Sequence, residues 1–210
     1  MPRGSEELTN ARKEEIIRAC ASLYETMSFK DITMKEIGAV TSFTRTSIYN
    51  YFQTKEEIFL ALLQQEYEKW IVDLDGIAAA HEVMTEDELA RELAGSLEKR
   101  ILLLKLMSMN HYDMEKNSRI ERLVEFKTAY GNSIRALDRL LEKFCPQMAP
   151  AGRQRFLYAF LPFVYGVYPY TVVTDKQREA MEKAGTNFVY MSVYEMVYAC
   201  TKQLLAGRQS

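Results

Sequence analysis

The chain has 210 residues, of which 48% are hydrophobic and 27% are charged. That balance excludes an intrinsically disordered chain, and the length suits one or two globular domains. The formal net charge of −2 excludes a protein that coats nucleic acid through general positive charge. Any DNA-binding surface must therefore be local, and even residues 1–55 are nearly balanced in charge.

Turn-forming residues are sparse, with 9 Gly and 5 Pro in the whole chain, and this predicts helices rather than strands. A first helix is expected at about 10–27, because apolar residues recur at helical spacing from Ile16 onward. Two short helices are expected next, at about 34–40 and 45–51. A tight turn at 41–43 joins them.

A longer helix is expected to begin at Thr54, because apolar residues again recur at helical spacing: Phe59, Leu63, Tyr67 and Trp70. The polar stretch 73–84 is interpreted as a boundary. Long helices are expected after Thr85 and after Ser118, and the prolines at 146 and 150 end the second of these.

Two further helices are expected at about 151–173 and 188–205. Pro162 and Pro169 fall inside the first of them and predict kinks. Both helices are apolar on more than one face. Capping boxes, in which a hydroxyl and a Glu three residues later satisfy free N–H groups, support four helix starts. They are Thr33/Glu36, Thr54/Glu57, Thr85/Glu88 and Ser118/Glu121.

Two short helices joined by a tight turn, between longer helices, are typical of a helix-turn-helix DNA-binding motif. The outer face of the second short helix must carry hydrogen-bonding groups into a major groove. Arg45, Thr46, Ser47, Tyr49 and Asn50 supply these. Its inner face must be apolar, and Ile48 and Phe52 are assigned to it. Thr33, Thr44 and Thr54 stand at helix starts, where N–H groups attract phosphate, and Lys55 adds a positive charge.

The same segment resembles the DNA-binding signature of the tetracycline-repressor (TetR) family over about residues 10–60. Nine positions match it: Thr44, Ser47, Ile48, Tyr49, Tyr51, Phe52, Thr54, Lys55 and Glu56. The resemblance implies that Thr44, Ser47, Tyr49 and Lys55 contact phosphates and that Arg45, Thr46 and Asn50 are candidates for base contacts. Thr33 and Tyr51 complete the predicted DNA-binding set, although Tyr51 also fits a core aromatic.

Two positions depart from the family pattern. Ser42 stands in the turn where the family often has Gly, and this substitution would cost strain if the position needed a positive φ. Thr46 stands in the recognition helix where the family often has Gly, so the preferred bases could differ. Neither departure removes the resemblance, because spacing, helix caps and aromatic order all agree.

The resulting fold class is all-α, with a three-helix helix-turn-helix head at 1–55 and a larger antiparallel helical body at 56–210. The resemblance implies that the body binds a ligand and forms a homodimer through the last two long helices. Its many Tyr, Phe and Met residues fit core packing for the most part, but each buried tyrosine hydroxyl needs a partner. Seven side chains are the candidate ligand contacts: Met107, His111, Tyr112, Phe126, Tyr130, Tyr165 and Tyr168.

Other classes of function have little support in the sequence. No metal-ligand spacing, phosphate loop or nucleophile motif occurs, so neither a cofactor, a metal nor an enzyme activity is expected. The three cysteines, Cys20, Cys145 and Cys200, show no C-x-x-C pairing, which fits a reduced cytoplasmic setting and leaves a redox-sensing role of Cys145 and Cys200 open. No signal peptide or membrane span is expected.

The functional hypothesis is a ligand-responsive homodimeric regulator, a repressor by resemblance, that binds a palindromic operator in double-stranded DNA. Its effector is expected to be a small apolar or aromatic molecule. The alternative is a DNA-binding regulator that responds to a protein partner and has no small-molecule effector. A helical enzyme or carrier with a coincidental N-terminus is the third and weakest interpretation.

Overall fold

The computed structural model describes residues 3–109 and 111–207, with side chains from residue 6 onward. Those residues form eleven α-helices and no β-strand, so the predicted all-α fold is confirmed. The helices are α1 (Arg3–Thr26), α2 (Met34–Ala39), α3 (Arg45–Ile48), α4 (Lys55–Ala80), α5 (Glu86–Glu98), α6 (Ile101–Met107), α7 (His111–Lys116), α8 (Ile120–Phe144), α9 (Pro150–Thr171), α10 (Asp175–Lys183) and α11 (Val193–Ala206).

Several predicted bounds were wrong. The first helix begins at Arg3 rather than near residue 10, and the last begins at Val193 rather than near 188. The expected boundary at 73–84 is helical as far as Ala80, because Leu74 and Ile77 are buried and their packing outweighs the polar composition. The short helices α6, α7 and α10 were not predicted, since helices of nine residues or fewer carry little periodicity.

The helix caps agree only in part with the predicted boxes. Thr85 and Glu88 form the full capping box of α5. Thr33 caps α2 by accepting from the backbone amides of Lys35 and Glu36. The Ser118 box was wrong, because the Ser118 hydroxyl donates to the Met114 carbonyl at 2.7 Å. A full box at Ser192 and Glu195, which begins α11, was overlooked although it has the same spacing.

The chain divides into two compact units. The first unit is Met1–Gln65 with Asn110–Ala129, and the second is Glu66–Met109 with Tyr130–Ser210. The helices α4 and α8 each begin in the first unit and continue into the second. Compactness and function need not divide a chain at the same residue, so the functional division after residue 55 stays a prediction.

The core of the first unit joins the helix-turn-helix to the start of α4. Ile16, Ile37 and Ile48 are fully buried, one from each of α1, α2 and α3. The ring of Phe59 receives Tyr24 edge-on at a centroid distance of 5.1 Å. It also receives Phe29 edge-on at 4.8 Å. These apolar contacts fix the helices that carry the predicted DNA-binding face.

The second unit is built on α11, which packs against α5 and α9. Asp87 of α5 ties α11 in place, since it accepts from the Tyr198 hydroxyl at 2.6 Å and pairs with Lys202 at 2.9 Å. These bonds hold the pKa of Asp87 well below its usual range, the Tyr198 bond most of all. The buried Trp70 indole donates to the Ser96 hydroxyl at 3.1 Å.

A helix that crosses a membrane must be long and predominantly apolar. In the described part of the chain no single helix is long and apolar enough to cross a membrane, although α9 and α10 pass together by length and composition as a pair bent by 85°.

Candidate DNA-binding site

The predicted DNA-reading surface is an exposed face of α3 and of the turn after it. Five of the predicted side chains on this face are exposed: Thr44, Arg45, Thr46, Tyr49 and Asn50. Ser47 is half-buried, and Thr33 is exposed at the start of α2. Ile48 and Phe52 are buried, at 0% and 1% exposure, as the sequence predicts for the inner face. Hydrogen-bonding groups and apolar anchors are thus on opposite sides of one short helix.

Two of the predicted contacts interact with each other. Arg45 donates from Nη2 to the Tyr49 hydroxyl at 3.1 Å, and its Cζ lies 5.8 Å from the centre of the Tyr49 ring. Tyr49 is 44% exposed, so the arginine and the phenol form one exposed group on the helix. The hydroxyls of Thr44 and Ser47 also pair, at 3.1 Å. All four side chains offer donors suited to phosphate or base edges.

Tyr51 is half-buried between the motif and α1. Its hydroxyl accepts from Nη1 of Arg12 at 3.3 Å, and its ring lies 6.5 Å from that of Phe43. The Cζ of Arg12 is itself 5.9 Å from the Phe43 ring centre. Arg12 was not singled out from the sequence, since one arginine on a polar helix face gives no pattern. A DNA contact by Tyr51 stays a prediction.

Lys55 has internal partners. Its ammonium donates to the carbonyl of Phe29 at 2.7 Å and to that of Ile32 at 2.9 Å, and lies 4.3 Å from the Phe29 ring centre. Two of the three donors of the ammonium thus hold the loop before α2 onto the start of α4. A phosphate contact by Lys55 stays a prediction. In this structure Lys55 ties the loop before α2 to the start of α4.

The turn of the motif is closed by Ser42 and Glu15. The Ser42 amide and hydroxyl both donate to the Glu15 carboxylate, the hydroxyl at 3.0 Å. The hydrogen bond from the Ser42 amide holds the pKa of Glu15 below its usual value, and the weaker effect of the hydrogen bond from the Ser42 hydroxyl acts in the same direction. No non-glycine residue in the described ranges has a positive φ, so serine in place of glycine costs no backbone strain here.

Gly38 lies where α2 and α3 approach closely. A Cβ atom at this position would lie 3.1 Å from both the Cα and the Cβ of Arg45. The absence of a side chain therefore lets the two helices of the motif pack closely. This glycine was not singled out from the sequence, because a lone glycine in a short helix does not reveal its neighbours.

Glu57 is a fully buried carboxylate on the first turn of α4. The Glu57 amide donates to the Thr54 hydroxyl at 3.2 Å, which is half of the predicted capping box, but the carboxylate does not reach back to the Thr54 amide. It accepts instead from the Gln53 amide at 2.8 Å and from the Arg119 guanidinium at 2.7 and 2.8 Å. Burial alone would raise the pKa of Glu57, but the bonds from Arg119 and Gln53 outweigh it and lower that pKa. The pair was not predicted, because 62 residues separate its members.

The seven candidate ligand contacts fall in both units. His111, Tyr112 and Phe126 belong to the first unit, and Met107, Tyr130, Tyr165 and Tyr168 belong to the second. Met107 and Phe126 are buried, and the His111 and Phe126 rings lie 6.4 Å apart. Tyr112 is 84% exposed, so it does not line a closed cavity in this structure. Ligand binding by any of the seven stays a prediction.

Three tyrosines of the second unit form a cluster. The hydroxyls of Tyr67 and Tyr165 lie 3.0 Å apart, and the Tyr130 ring packs edge-on against Tyr67 at a centroid distance of 5.8 Å. Burial is the main cause that raises the pKa of Tyr67 well above its usual value. Burial also raises the pKa of Tyr168. Tyr67 was read from the sequence only as part of an apolar stripe, so its polar role was missed.

Cys20 and Cys200 show no sign of thiolate activation. Cys20 and Cys145 are buried, Cys200 is half-buried, and no disulfide joins any two of the three. Burial raises the pKa of Cys20 to about 12 and also raises that of Cys200. Within the described residues no group of three or more His, Cys, Asp or Glu side chains is arranged to hold a metal ion.

Comparison with protein-family models covers nearly the whole chain. Residues 16–62 match the model described as bacterial regulatory proteins of the tetR family. Residues 64–210 match the model described as the tetracyclin repressor-like C-terminal domain. The second match alone spans more than half of the chain.

The chain belongs to the TetR family.

A curated relative is similar over a short stretch only. The uncharacterised helix-turn-helix regulator YfiR of Bacillus subtilis is 27% identical over 74 residues, which is 35% of this chain and 36% of that protein. The match therefore spans about a third of the length of that relative. Family membership rests on the two family models, and the relative adds no activity or partner.

Solved structures share the fold over almost the full length. The fatty acid degradation regulator FadR from Bacillus halodurans has a TM-score of 0.61 at 14% identity, over 94% of this chain and 96% of its own. A TetR/AcrR-family regulator from Thermobifida fusca has 0.61 at 18%, over 95% and 100%. FadR from Thermus thermophilus, solved with lauroyl-CoA, has 0.57 at 19%, over 95% and 96%.

These findings make this TetR-family protein a helix-turn-helix transcriptional regulator, while DNA reading by α3 stays a prediction. The identities are too low to carry a ligand or an operator from one structure to another. The chain's own residues must therefore supply the argument for what it binds.

Proposed function

We propose that this TetR-family protein is a homodimeric repressor that binds a palindromic operator and releases it when a small apolar or aromatic effector binds. The observation that carries the DNA-binding part is the division of faces on α3. Arg45, Thr46 and Asn50 are exposed for base contacts, while Ile48 and Phe52 are buried. Thr44, Ser47 and Tyr49 are assigned to phosphates, which set position while base contacts set sequence. This role in turn locates the protein in the cytoplasm with the chromosome.

The dimer part of the proposal is supported by the outer face of α9 and α11. A groove of about 330 Å³ between these helices is lined by Pro162, Phe163, Gly166, Val167, Tyr170 and Met196. The side chains around it are almost entirely apolar, and Tyr170 is 57% exposed. One short recognition helix reads only a few base pairs. A two-fold dimer presents two such helices about one DNA turn apart and reads a palindrome.

The effector part is supported by the chemistry of the second unit. Ligand sites are mostly apolar with a few convergent polar groups, and the Tyr67, Tyr130 and Tyr165 cluster offers hydroxyls among buried rings. FadR from Thermus thermophilus was solved with lauroyl-CoA, and this makes an acyl chain a reasonable first probe. An effector shifts the equilibrium only if it binds the form that releases DNA more tightly.

Selection of bound duplexes from a random DNA library tests the DNA-binding part. The native chain is compared with Arg45→Ala at one fixed salt concentration, because affinities depend steeply on salt. Arg178→Ala is the matched control, since Arg178 is also an exposed arginine whose guanidinium lies over a tyrosine ring, 4.4 Å from the centre of Tyr190. We expect an enriched palindrome that Arg45→Ala weakens and Arg178→Ala leaves intact. Failure of a folded dimer to enrich any duplex would refute the proposal.

Thermal denaturation with added compounds tests the effector part. Lauroyl-CoA, a free fatty acid and a flat aromatic acid are each added to the native chain and to Tyr165→Phe. A ligand at a hundred times its Kd stabilises the folded state by about 2.7 kcal/mol. We expect one compound class to raise the Tm and to release the operator. If none does and a protein from the same cell releases the operator instead, the alternative with a protein partner is correct.

A further inference from the structure

Arg119 and Glu57 form one ion pair inside the first unit, and the two segments that carry them are joined at several other points. The backbone amide of Arg119 donates to Glu57 at 3.1 Å, in addition to the two guanidinium bonds. Nη2 of Arg119 also donates to the Tyr51 carbonyl at 3.4 Å. Arg119 thus bonds both the start of α4 and the residues that directly follow the recognition helix.

Neighbouring residues reinforce this junction. The Thr54 hydroxyl donates to the Asn117 carbonyl at 2.9 Å. The guanidinium of Arg122 lies 5.4 Å from the ring centre of Phe52, the buried anchor of the DNA-reading face. Residues 51–57 therefore meet residues 117–122 through hydrogen bonds, an ion pair and a cation–π contact. We call this set of contacts the 51–57/117–122 junction.

The junction contacts the recognition helix from its C-terminal side. Phe52 donates its amide to the Ile48 carbonyl at 3.0 Å, and the Gln53 amide goes to Glu57. Glu57 is therefore linked to the end of α3 through two consecutive residues, Gln53 and Phe52. The other half of the junction leads into α8, which runs from Ile120 through Phe144 into the second unit.

Only Glu57 of this ion pair is buried, since the Arg119 side chain is 39% exposed, and desolvation of the carboxylate offsets much of the attraction between the charges. Its fork geometry, in contrast, fixes two groups in one relative orientation. The structure assigns Arg119 as a positioning residue for DNA binding: its guanidinium, bonded to Glu57 and Tyr51, holds the recognition helix in the orientation that reads the operator. This inference rests on the proposed operator binding.

The test measures the ratio of operator affinity to random-duplex affinity, at one salt concentration and well below the melting temperature. The variants are Arg119→Gln, Arg119→Lys and the double Glu57→Gln/Arg119→Gln. Arg100→Gln is the matched control, because Arg100 also binds one carboxylate through two bonds, to Asp73 at 2.6 and 2.8 Å, and one carbonyl, that of Lys69 at 3.3 Å. All three control residues belong to the second unit.

We expect Arg119→Gln to lower the ratio by about tenfold, the size of one lost base-pair preference. Arg119→Lys gives a smaller loss, since an ammonium cannot reproduce the two parallel bonds. The double variant regains thermal stability, because no buried charge is left unpaired, but its ratio stays low. Arg100→Gln loses stability and keeps the native ratio.

Three results would overturn the assignment. An unchanged ratio in Arg119→Gln, or an equal loss in Arg100→Gln, would show that the pair only supports folding. Recovery of the ratio together with stability in the double variant would show the same. A uniform loss on all duplexes, with a salt slope smaller by about one, would show that Arg119 contacts phosphate itself.

Hydrogen exchange gives a readout that does not need DNA. Arg119→Gln should speed exchange of the amides at 51–53 while the amides of α5, packed in the second unit, stay protected. Unchanged exchange at 51–53 would count against the assignment even if the native chain bound no duplex. Failure of operator binding by the native chain, with faster exchange at 51–53 in the variant, would instead count against the proposed function alone.

Discussion

At the scale of single residues, Gly38 shows how closely the two helices of the DNA-binding motif approach. Its missing Cβ would stand 3.1 Å from the Cα of Arg45, an atom that cannot move away as a flexible side chain would. Gly38→Ala is therefore expected to destabilise the protein by about 1–3 kcal/mol, the usual cost of overpacking. It should also weaken operator binding.

Gly76→Ala is the control for this substitution. Gly76 lies inside α4, and a Cβ there would meet no atom within 4 Å. Alanine should stabilise that helix by up to about 1 kcal/mol. Chemical denaturation of both variants gives the comparison, and an equal gain in stability at both positions would contradict the close approach at Gly38.

Glu57 predicts a contribution to acid sensitivity. A free glutamate has a pKa of about 4.3. The pKa of Glu57 is lowered in the folded chain, so its stabilisation is present above about 4.3 and is lost as the pH falls through the lower folded value. The melting temperature of the native chain should fall over this range more steeply than that of Glu57→Gln. Parallel melting curves for the two proteins would contradict this prediction.

The exposure of the predicted DNA-reading residues could be foreseen from sequence because they lie close together in the chain. The order of hydroxyl, basic and aromatic residues between Thr44 and Phe52 indicates which side chains are exposed and which are buried. Lys55 shows the limit of such a pattern, because its two carbonyl partners belong to a loop more than twenty residues earlier. Arg119 had no local signal at all.

At the scale of helices, a cap stabilises the fold only when the helix that it begins buries side chains. Ser192 caps α11, whose Val193, Val197 and Leu205 are buried, whereas Thr174 caps α10, which buries no residue. Loss of a hydroxyl cap costs about 1 kcal/mol. Ser192→Ala should lower the melting temperature by about 2–4 °C, since α11 unfolds with the second unit.

Thr174→Ala should leave the melting temperature unchanged, because fraying of α10 exposes no buried side chain. Differential scanning calorimetry distinguishes the two variants. Equal shifts for both would show that α10 folds together with the second unit, in contradiction to its exposure.

Helix prediction from the sequence succeeded where apolar residues recur over several turns. The second half of the chain shows why it failed elsewhere. The helices α6, α7 and α10 have 7, 6 and 9 residues, too few for a periodic stripe to stand out. The tail of α4 reads as a polar linker because burial of Leu74 and Ile77 depends on neighbours distant in sequence.

At the scale of the whole molecule, the groove between α9 and α11 predicts which substitution dissociates the proposed dimer. Met196→Glu introduces a charge among apolar groove residues, and burying that charge in an interface is costly. We expect a folded monomer at micromolar concentration with much weaker operator binding. Val83→Glu is the control, since Val83 is an apolar side chain that is 85% exposed in a loop.

Light scattering after size exclusion measures the mass of each variant, and circular dichroism checks that the helices remain. A folded Met196→Glu dimer with native operator affinity would exclude this face as the interface. Assembly of two chains is a prediction that only the family resemblance supplies, because partly exposed apolar side chains of α9 and α11 look like core residues in the sequence.

The central claim is that two recognition helices read one palindrome together. The most direct measurement is the affinity for the selected operator before and after insertion of about five base pairs between its half-sites, half of a DNA turn. A rigid pair of heads predicts a loss of at least about tenfold, because the half-sites then face opposite sides of the duplex. Unchanged affinity would show that each chain reads DNA alone, and the homodimeric account would be wrong.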